Sequence, residues 1–170
     1  MKPIKILNHE NLNKNDIRFY KKRKAVRAVI LDDKAHIALL YSPDYSYYSL
    51  PGGGVEGIES LENAVLRESR EETRALIRIE RSLGVTHEYR KESLLINESH
   101  GYVCSLISID NDDILYSPNN DDLENNAHVV WMKPSEAIEK LNASKKFHTT
   151  YDIQCINRDL YFIKQACNMN

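Results

Sequence analysis

Three carboxylates set the chemistry to be expected of this chain. Glu68, Glu71 and Glu72 stand three and four residues apart. On a helix turning about 100° per residue they share one face within a single turn. Like charges so placed repel by about 0.2–0.5 kcal/mol per pair, and they fall late in the helix, where the dipole disfavours anions. A hard divalent cation, which takes oxygen ligands, neutralises such a cluster. Metal-dependent phosphate chemistry is the leading expectation, against the plainer one of a solvated, salt-bridged helix face.

The elements that must position these groups read as loop, helix, turn. Leu50-Pro51-Gly52-Gly53-Gly54 cannot propagate a helix and lets the backbone approach a ligand closely. Glu59 or Ser60 is the N-cap candidate, and Leu61, Ala64 and Val65 form the apolar stripe of the first turns. Stepping on by three or four from Leu61 and Val65 reaches Glu68 and Glu72. One face thus begins apolar and ends acidic, as in a buried helix that delivers ligands to a cleft. Arg67 and Arg70 lie off the centre of that face, with Arg67 near enough in sequence to orient a carboxylate.

The segment Gly53–Ala75 resembles the signature of the Nudix hydrolase family. The matching positions are Gly53, Glu59, Arg67, Glu68, Glu71 and Glu72, at the family's spacing and behind a Leu-Pro-Gly-Gly. The resemblance implies an α/β fold, an α/β/α sandwich with a mixed sheet. It further implies a hydrolase of phosphoric anhydrides that uses Mg²⁺, with Mn²⁺ as the alternative. Glu68 and Glu72 would be the principal metal ligands, Glu71 a further ligand or the base acting through water, and the Gly53 carbonyl a completing donor. Arg67 would hold a carboxylate in place and Glu59 would support it from outside. A late-loop acid often joins such sites; Asp121, Asp122 and Glu124 are the candidates, Glu124 preferred because it precedes Trp131 by seven residues. Three positions depart from the pattern. Ser69 replaces an aliphatic residue, Arg74 a glycine, and Ala75 is small for its class. A left-handed arginine costs about 1–2 kcal/mol, so the expectation is that the helix runs on slightly past Arg74.

Substrate choice is less clearly written. Gly52, Tyr47 and Tyr48 are substrate-binding candidates; with Tyr45, the tyrosines have the faces to stack on a base, or are ordinary loop and core aromatics. Lys21-Lys22-Arg23-Lys24 reads as a solvated strand entry rather than a polyphosphate guide. His87, His100 and His128 share no metal-ligand spacing. ADP-ribose pyrophosphatases of the family usually carry a proline beyond the box, and residues 76–117 contain none. The upstream signature of the coenzyme A pyrophosphatases is missing, and Tyr89 is out of register for a diadenosine polyphosphate hydrolase. A nucleoside triphosphate, including an oxidised one, is the remaining choice. A nucleoside diphosphate-sugar hydrolase and a non-catalytic nucleotide-binding regulator are the alternatives.

The remainder sets the frame. The 170 residues suit a single domain, with a core at about 25–141 and a helical extension at about 150–166. With 23 basic and 25 acidic residues, net −2, there is no global field for a nucleic acid duplex. Cys104, Cys155 and Cys167 are scattered and read as reduced thiols of a cytoplasmic protein. No apolar run suggests a signal peptide or a membrane span. Strands are expected at 25–31, 36–42, 76–80, 84–90, 94–109 (with a bend at Gly101) and 128–132, and helices at 134–141 and 150–166. Residues 43–49 and 110–126 read as loops. The final helix, with Ile153, Ile156, Leu160 and Ile163 at helical spacing, is expected to cover the core or build a homodimer interface.

Overall fold

The computed structural model describes residues 3–109, 127–145 and 149–169. Seven strands form one mixed sheet: β1 (Lys5–Leu7), β2 (Lys21–Leu31), β3 (Ile37–Ser42), β4 (Tyr47–Ser49), β5 (Ala75–Arg90), β6 (Leu95–Ile109) and β7 (His128–Met132). A short helix α1 (Lys14–Ile17) follows β1; α2 (Leu61–Thr73), α3 (Pro134–Ser144) and α4 (Thr150–Ala166) pack on the sheet. The strand order is β1-β5-β6-β2-β3-β4, with β7 also on β3. β1 and β5 are parallel, as are β2 and β6, while the other pairs are antiparallel.

Alternation along β2 divides the molecule into two cores. Val26, Ala28 and Ile30 face α2 and pack with Ala64, Val65, Ile77 and Cys104. Val29, on the opposite face, joins Leu39, Val103, Leu141, Ile156, Leu160 and Phe162 beneath α3 and α4. Side chains two apart on a strand share a face, so a single apolar run feeds both layers. The result is the expected α/β/α sandwich. Each fully buried Val or Ile contributes about 1.5–3 kcal/mol to it.

Several boundaries differ from the sequence reading. β2 begins at Lys21, since the basic run pairs along β6, with Lys22 Nζ 2.7 Å from Glu98 Oε1. The two strands expected at 76–80 and 84–90 are one, Ala75–Arg90, carried past its irregularities by three register shifts. The irregularity expected at Gly101 falls on its partner, between Ser82 and Gly84. Gly101 itself lies under Phe162, whose ring a Cβ would meet at 2.5 Å. The tyrosine stretch forms a turn at Pro43–Tyr45 and the strand β4 rather than a plain loop. α4 matches its expected bounds, opened by a capping box from Thr149 to Asp152. Its apolar stripe is buried, so α4 covers the core.

β2 meets β3 only at Leu31 and Ile37. Higher up, the two strands separate and the glycine-rich segment enters between them. Val26 N–H donates to the Gly53 carbonyl and Ala28 N–H to that of Pro51, both at 2.9 Å. The acidic end of α2 lies against this segment.

Candidate active site

Ser60 caps α2, its hydroxyl accepting from Asn63 N–H at 3.0 Å. Burial of Ala64 and Val65 fixes the rotation of the helix, and that rotation drives Glu68 inward to 8% exposure. Its carboxylate lies against Gly53 so closely that any Cβ there would overlap it. One turn on, Glu72 Oε2 accepts from Gly52 N–H at 2.6 Å. Gly52 has φ +135°, and its own Cβ would overlap the Val26 carbonyl. Both glycines are therefore required by close approach, and the two carboxylates expected as principal ligands meet the same stretch of backbone.

Arg67, rather than lying off the acidic face, reaches to its centre. Nη1 donates to Glu68 Oε1 at 3.0 Å and to Glu71 Oε2 at 2.8 Å. Nη2 donates to Glu59 Oε1 at 2.8 Å and to the Gly54 carbonyl at 3.0 Å, and Nε to Glu59 Oε2 at 3.2 Å. A guanidinium presents five donors in a rigid fork, and here the fork ties loop, helix start and helix end together. Glu59 is held from a second side by Glu56 N–H at 2.8 Å. The hydrogen bonds from Arg67 and Glu56 hold the Glu59 carboxyl below its usual pKa. Burial pushes that of Glu68 up, and the nearby Arg67 only partly offsets this.

The donor set is oxygen throughout. Among the described residues, no three His, Cys, Asp or Glu side chains close on one point. Glu68 and Glu72, the two carboxylates set against the glycine backbone, match the one or two that Mg²⁺ takes beside waters and substrate phosphates. A buried carboxylate that Arg67 only partly compensates is also the kind of group a cation stabilises. The residues thus fit the metal. The Gly53 carbonyl expected as a further donor already accepts from Val26 N–H, which leaves it a single lone pair. Glu124, with Asp121 and Asp122, lies outside the described residues.

Tyr48 stacks on Tyr41, ring centroids 4.5 Å apart. Tyr47 packs against the core beneath α3 and α4, and burial raises the pKa of its hydroxyl. Tyr45 is exposed. Neither Tyr47 nor Tyr48 stands out from the wall with both faces open.

Arg74 does not extend the helix. α2 stops at Thr73, and Arg74 takes φ 57°, ψ 11°, its N–H donating to the Arg70 carbonyl. The chain must turn sharply into β5, whose first residue, Ala75, is buried; the turn outweighs the left-handed strain. Arg74→Gly is expected to raise stability by up to about 1 kcal/mol by relieving that strain. A shift of the urea midpoint upward checks it.

The sequence reading missed a charged layer beneath α4. Glu88 is fully buried in β5 and accepts from Ser99 Oγ at 2.7 Å, Asn97 Nδ2 at 3.1 Å and Arg90 Nη2 at 3.1 Å. Arg158 Nη1 stands 3.4 Å from the same carboxylate, and its Nε donates to Asp159 Oδ1 at 2.8 Å. The other oxygen of Asp159 accepts from Leu50 N–H at 3.0 Å, one residue before Pro51. The C-terminal helix is thereby tied to the glycine-rich loop. The available signal was a charged pair lodged between Ile156 and Leu160 on the apolar face of α4, and Arg27 inside the apolar run of β2.

The family model described as the NUDIX domain matches residues 21–151. A NUDIX hydrolase from Nitrosomonas europaea is similar in structure, with TM-score 0.58 and 24% identity, over 81% of this chain and 87% of that one. A structure reported for MutT of Aliivibrio salmonicida and Vibrio cholerae is also similar, at TM-score 0.45 and 17% identity, over 83% of this chain and 98% of that one. No curated protein matches the chain. Among the described residues, no helix is long and apolar enough to cross a membrane. The family match spans most of the chain and contains the whole acidic helix and its glycine loop: the chain belongs to the Nudix family, the hydrolases of phosphoric anhydrides.

Proposed function

We propose that the protein is a Mg²⁺-dependent pyrophosphohydrolase that cleaves a diphosphate linkage in a nucleoside triphosphate or a related nucleoside diphosphate derivative. The observation that carries this reading is the meeting of Glu68 with Gly53 and Glu72 with Gly52 around a helix end that Arg67 organises. A merely solvated helix face has no need to press two carboxylates into glycine backbone.

Glu68 and Glu72 would hold the metal, which when bound supplies charge neutralisation at the diphosphate and a lowered pKa for the attacking water. Arg67 keeps Glu68 and Glu71 at fixed separation by binding both through one nitrogen. Glu71 is the more open of these two carboxylates, with 37% of its side chain exposed. That exposure supports Glu71 as the base that takes the proton of the attacking water, a further metal ligand being its other role. Glu59 acts through Arg67, restraining the guanidinium that would otherwise swing to solvent. Water attacks one phosphorus, the bridging P–O bond breaks, and two phosphate products leave. The absence of proline in residues 76–117 speaks against ADP-ribose and for a triphosphate.

The test is product analysis with Mg²⁺ across nucleoside triphosphates, nucleoside diphosphate-sugars and dinucleoside polyphosphates. The expected result is a monophosphate and pyrophosphate from a triphosphate. Turnover confined to diphosphate-sugars would overturn the triphosphate assignment and leave the diphosphate-sugar alternative. Nucleotide binding without turnover on any of these compounds would instead make the protein a sensor.

A further inference from the structure

Arg27 occupies the α4-facing side of β2 between Ala25 and Val29, where the neighbouring positions are apolar. Its Nη1 donates to the Val26 carbonyl at 2.7 Å, and its Nε is shielded from solvent with no hydrogen-bond partner among the described residues. A shielded donor left unmade is costly, so a sequence that keeps one beside the glycine-rich segment gains something there.

The location says what. The Val26 oxygen that Arg27 binds is the atom against which Gly52 is pressed, and Gly52 N–H in turn reaches Glu72. The guanidinium therefore sits one backbone layer behind the acidic site. The acids of the buried layer are engaged elsewhere: Glu88 by Ser99, Asn97, Arg90 and Arg158, and Asp159 by Arg158 and Leu50 N–H. Burial and the neighbouring Arg158 pull the pKa of Arg27 down, while Asp159, Glu72 and Glu88 hold it up. A second arginine of the same strand face, Arg23, lies against Gly54, where a Cβ would come within 2.6 Å of its Nη2. Cations thus flank the glycine segment on the side away from α2, opposite the carboxylates.

We propose that Arg27 is a substrate-binding residue that grips a non-bridging phosphoryl oxygen of a polyphosphate seated over Gly52–Gly54. The planar fork of a guanidinium matches phosphoryl oxygens, and the shielded setting strengthens the contact. The proposal rests on the hydrolase reading for the identity of the ligand but not for its test.

That test is calorimetric binding of inorganic tripolyphosphate, in Mg²⁺, to the wild type, Arg27→Met and Arg27→Lys, with thermal melting of each. Arg27→Met gives up the single hydrogen bond to the Val26 carbonyl and one buried charge while keeping a long stem, and the melting curve reports whether it folds. Its affinity is expected to fall about tenfold or more, the scale of one charge-assisted contact. Arg27→Lys is expected to fall between the two, since it keeps charge without the fork. Unchanged affinity in a folded Arg27→Met overturns the proposal, and so does a wild type that does not bind tripolyphosphate. Should Arg27→Met fail to fold, affinity of Arg27→Lys equal to the wild type overturns it. A wild type that binds but hydrolyses nothing would defeat the hydrolase reading alone; Arg27 would still be judged by the loss of affinity.

Discussion

Glu72→Gln is expected to lower kcat by about 10²–10⁴-fold while leaving the fold in place. The reasoning starts from the two oxygens of the side chain. One accepts from Gly52 N–H at 2.6 Å, and a glutamine amide oxygen can keep that bond. The other oxygen, with the negative charge, is what a cation needs and what the amide lacks. Melting temperature should therefore change little while turnover collapses. Glu59→Gln works as a graded comparison, because Glu59 acts only through Arg67. Its loss should be smaller, about 10–100-fold. Equal activity in Glu72→Gln and wild type, with equal response to Mg²⁺, would remove Glu72 from the site.

Glu88→Leu is expected to destabilise the protein by about 3–5 kcal/mol, the scale for stranding one partner of a buried ion pair. The leucine leaves Arg90 without its carboxylate and Arg158 with Asp159 alone. In a chain of this length that lowers the melting temperature by about 10 °C or more. The same group sets a pH dependence. Burial alone would raise the pKa of Glu88, but Arg158, the Ser99 hydroxyl, Arg90 and Arg27 outweigh it and the net direction is downward from 4.5. A carboxyl with a depressed folded pKa contributes stability that is present above its unfolded value and lost as pH falls through the folded one. Wild-type stability should thus decline below pH 4.5, and Glu88→Leu should show a shallower decline. Denaturant melts at neutral and acid pH check both statements; a variant as stable as the wild type would show that the ionic layer contributes nothing net.

How far the sequence carried depended on whether a feature is local. The acidic helix was legible because its parts lie within one segment: a Ser60 cap, apolar Ala64 and Val65, then Glu68 and Glu72 a turn apart. α4 was legible for the same reason, with periodic isoleucines and a Thr149–Asp152 box. The parallel pairing of β2 with β6 joins residues some seventy apart and leaves no local trace. The three-residue β1 is too short to show a period. Helical angle sets Arg67 off the acidic face and its nearness in sequence gives it one carboxylate to orient, but neither accounts for a long side chain that bends back to three. Arg74 was expected to avoid a left-handed turn on steric grounds, yet the need to bury Ala75 on entering β5 prevailed. Glu88, Arg158 and Asp159 read as polar interruptions because their partners come from different elements and meet only when α4 docks.

The central claim is that carboxylates of α2 work through a divalent cation. The most direct test is turnover of the best substrate by protein stripped with EDTA, before and after Mg²⁺ is restored. Activity absent from the stripped protein and recovered in proportion to added Mg²⁺ is the predicted result. Undiminished hydrolysis in excess EDTA would contradict it, and would leave Glu68 and Glu72 as structural acids braced against glycine.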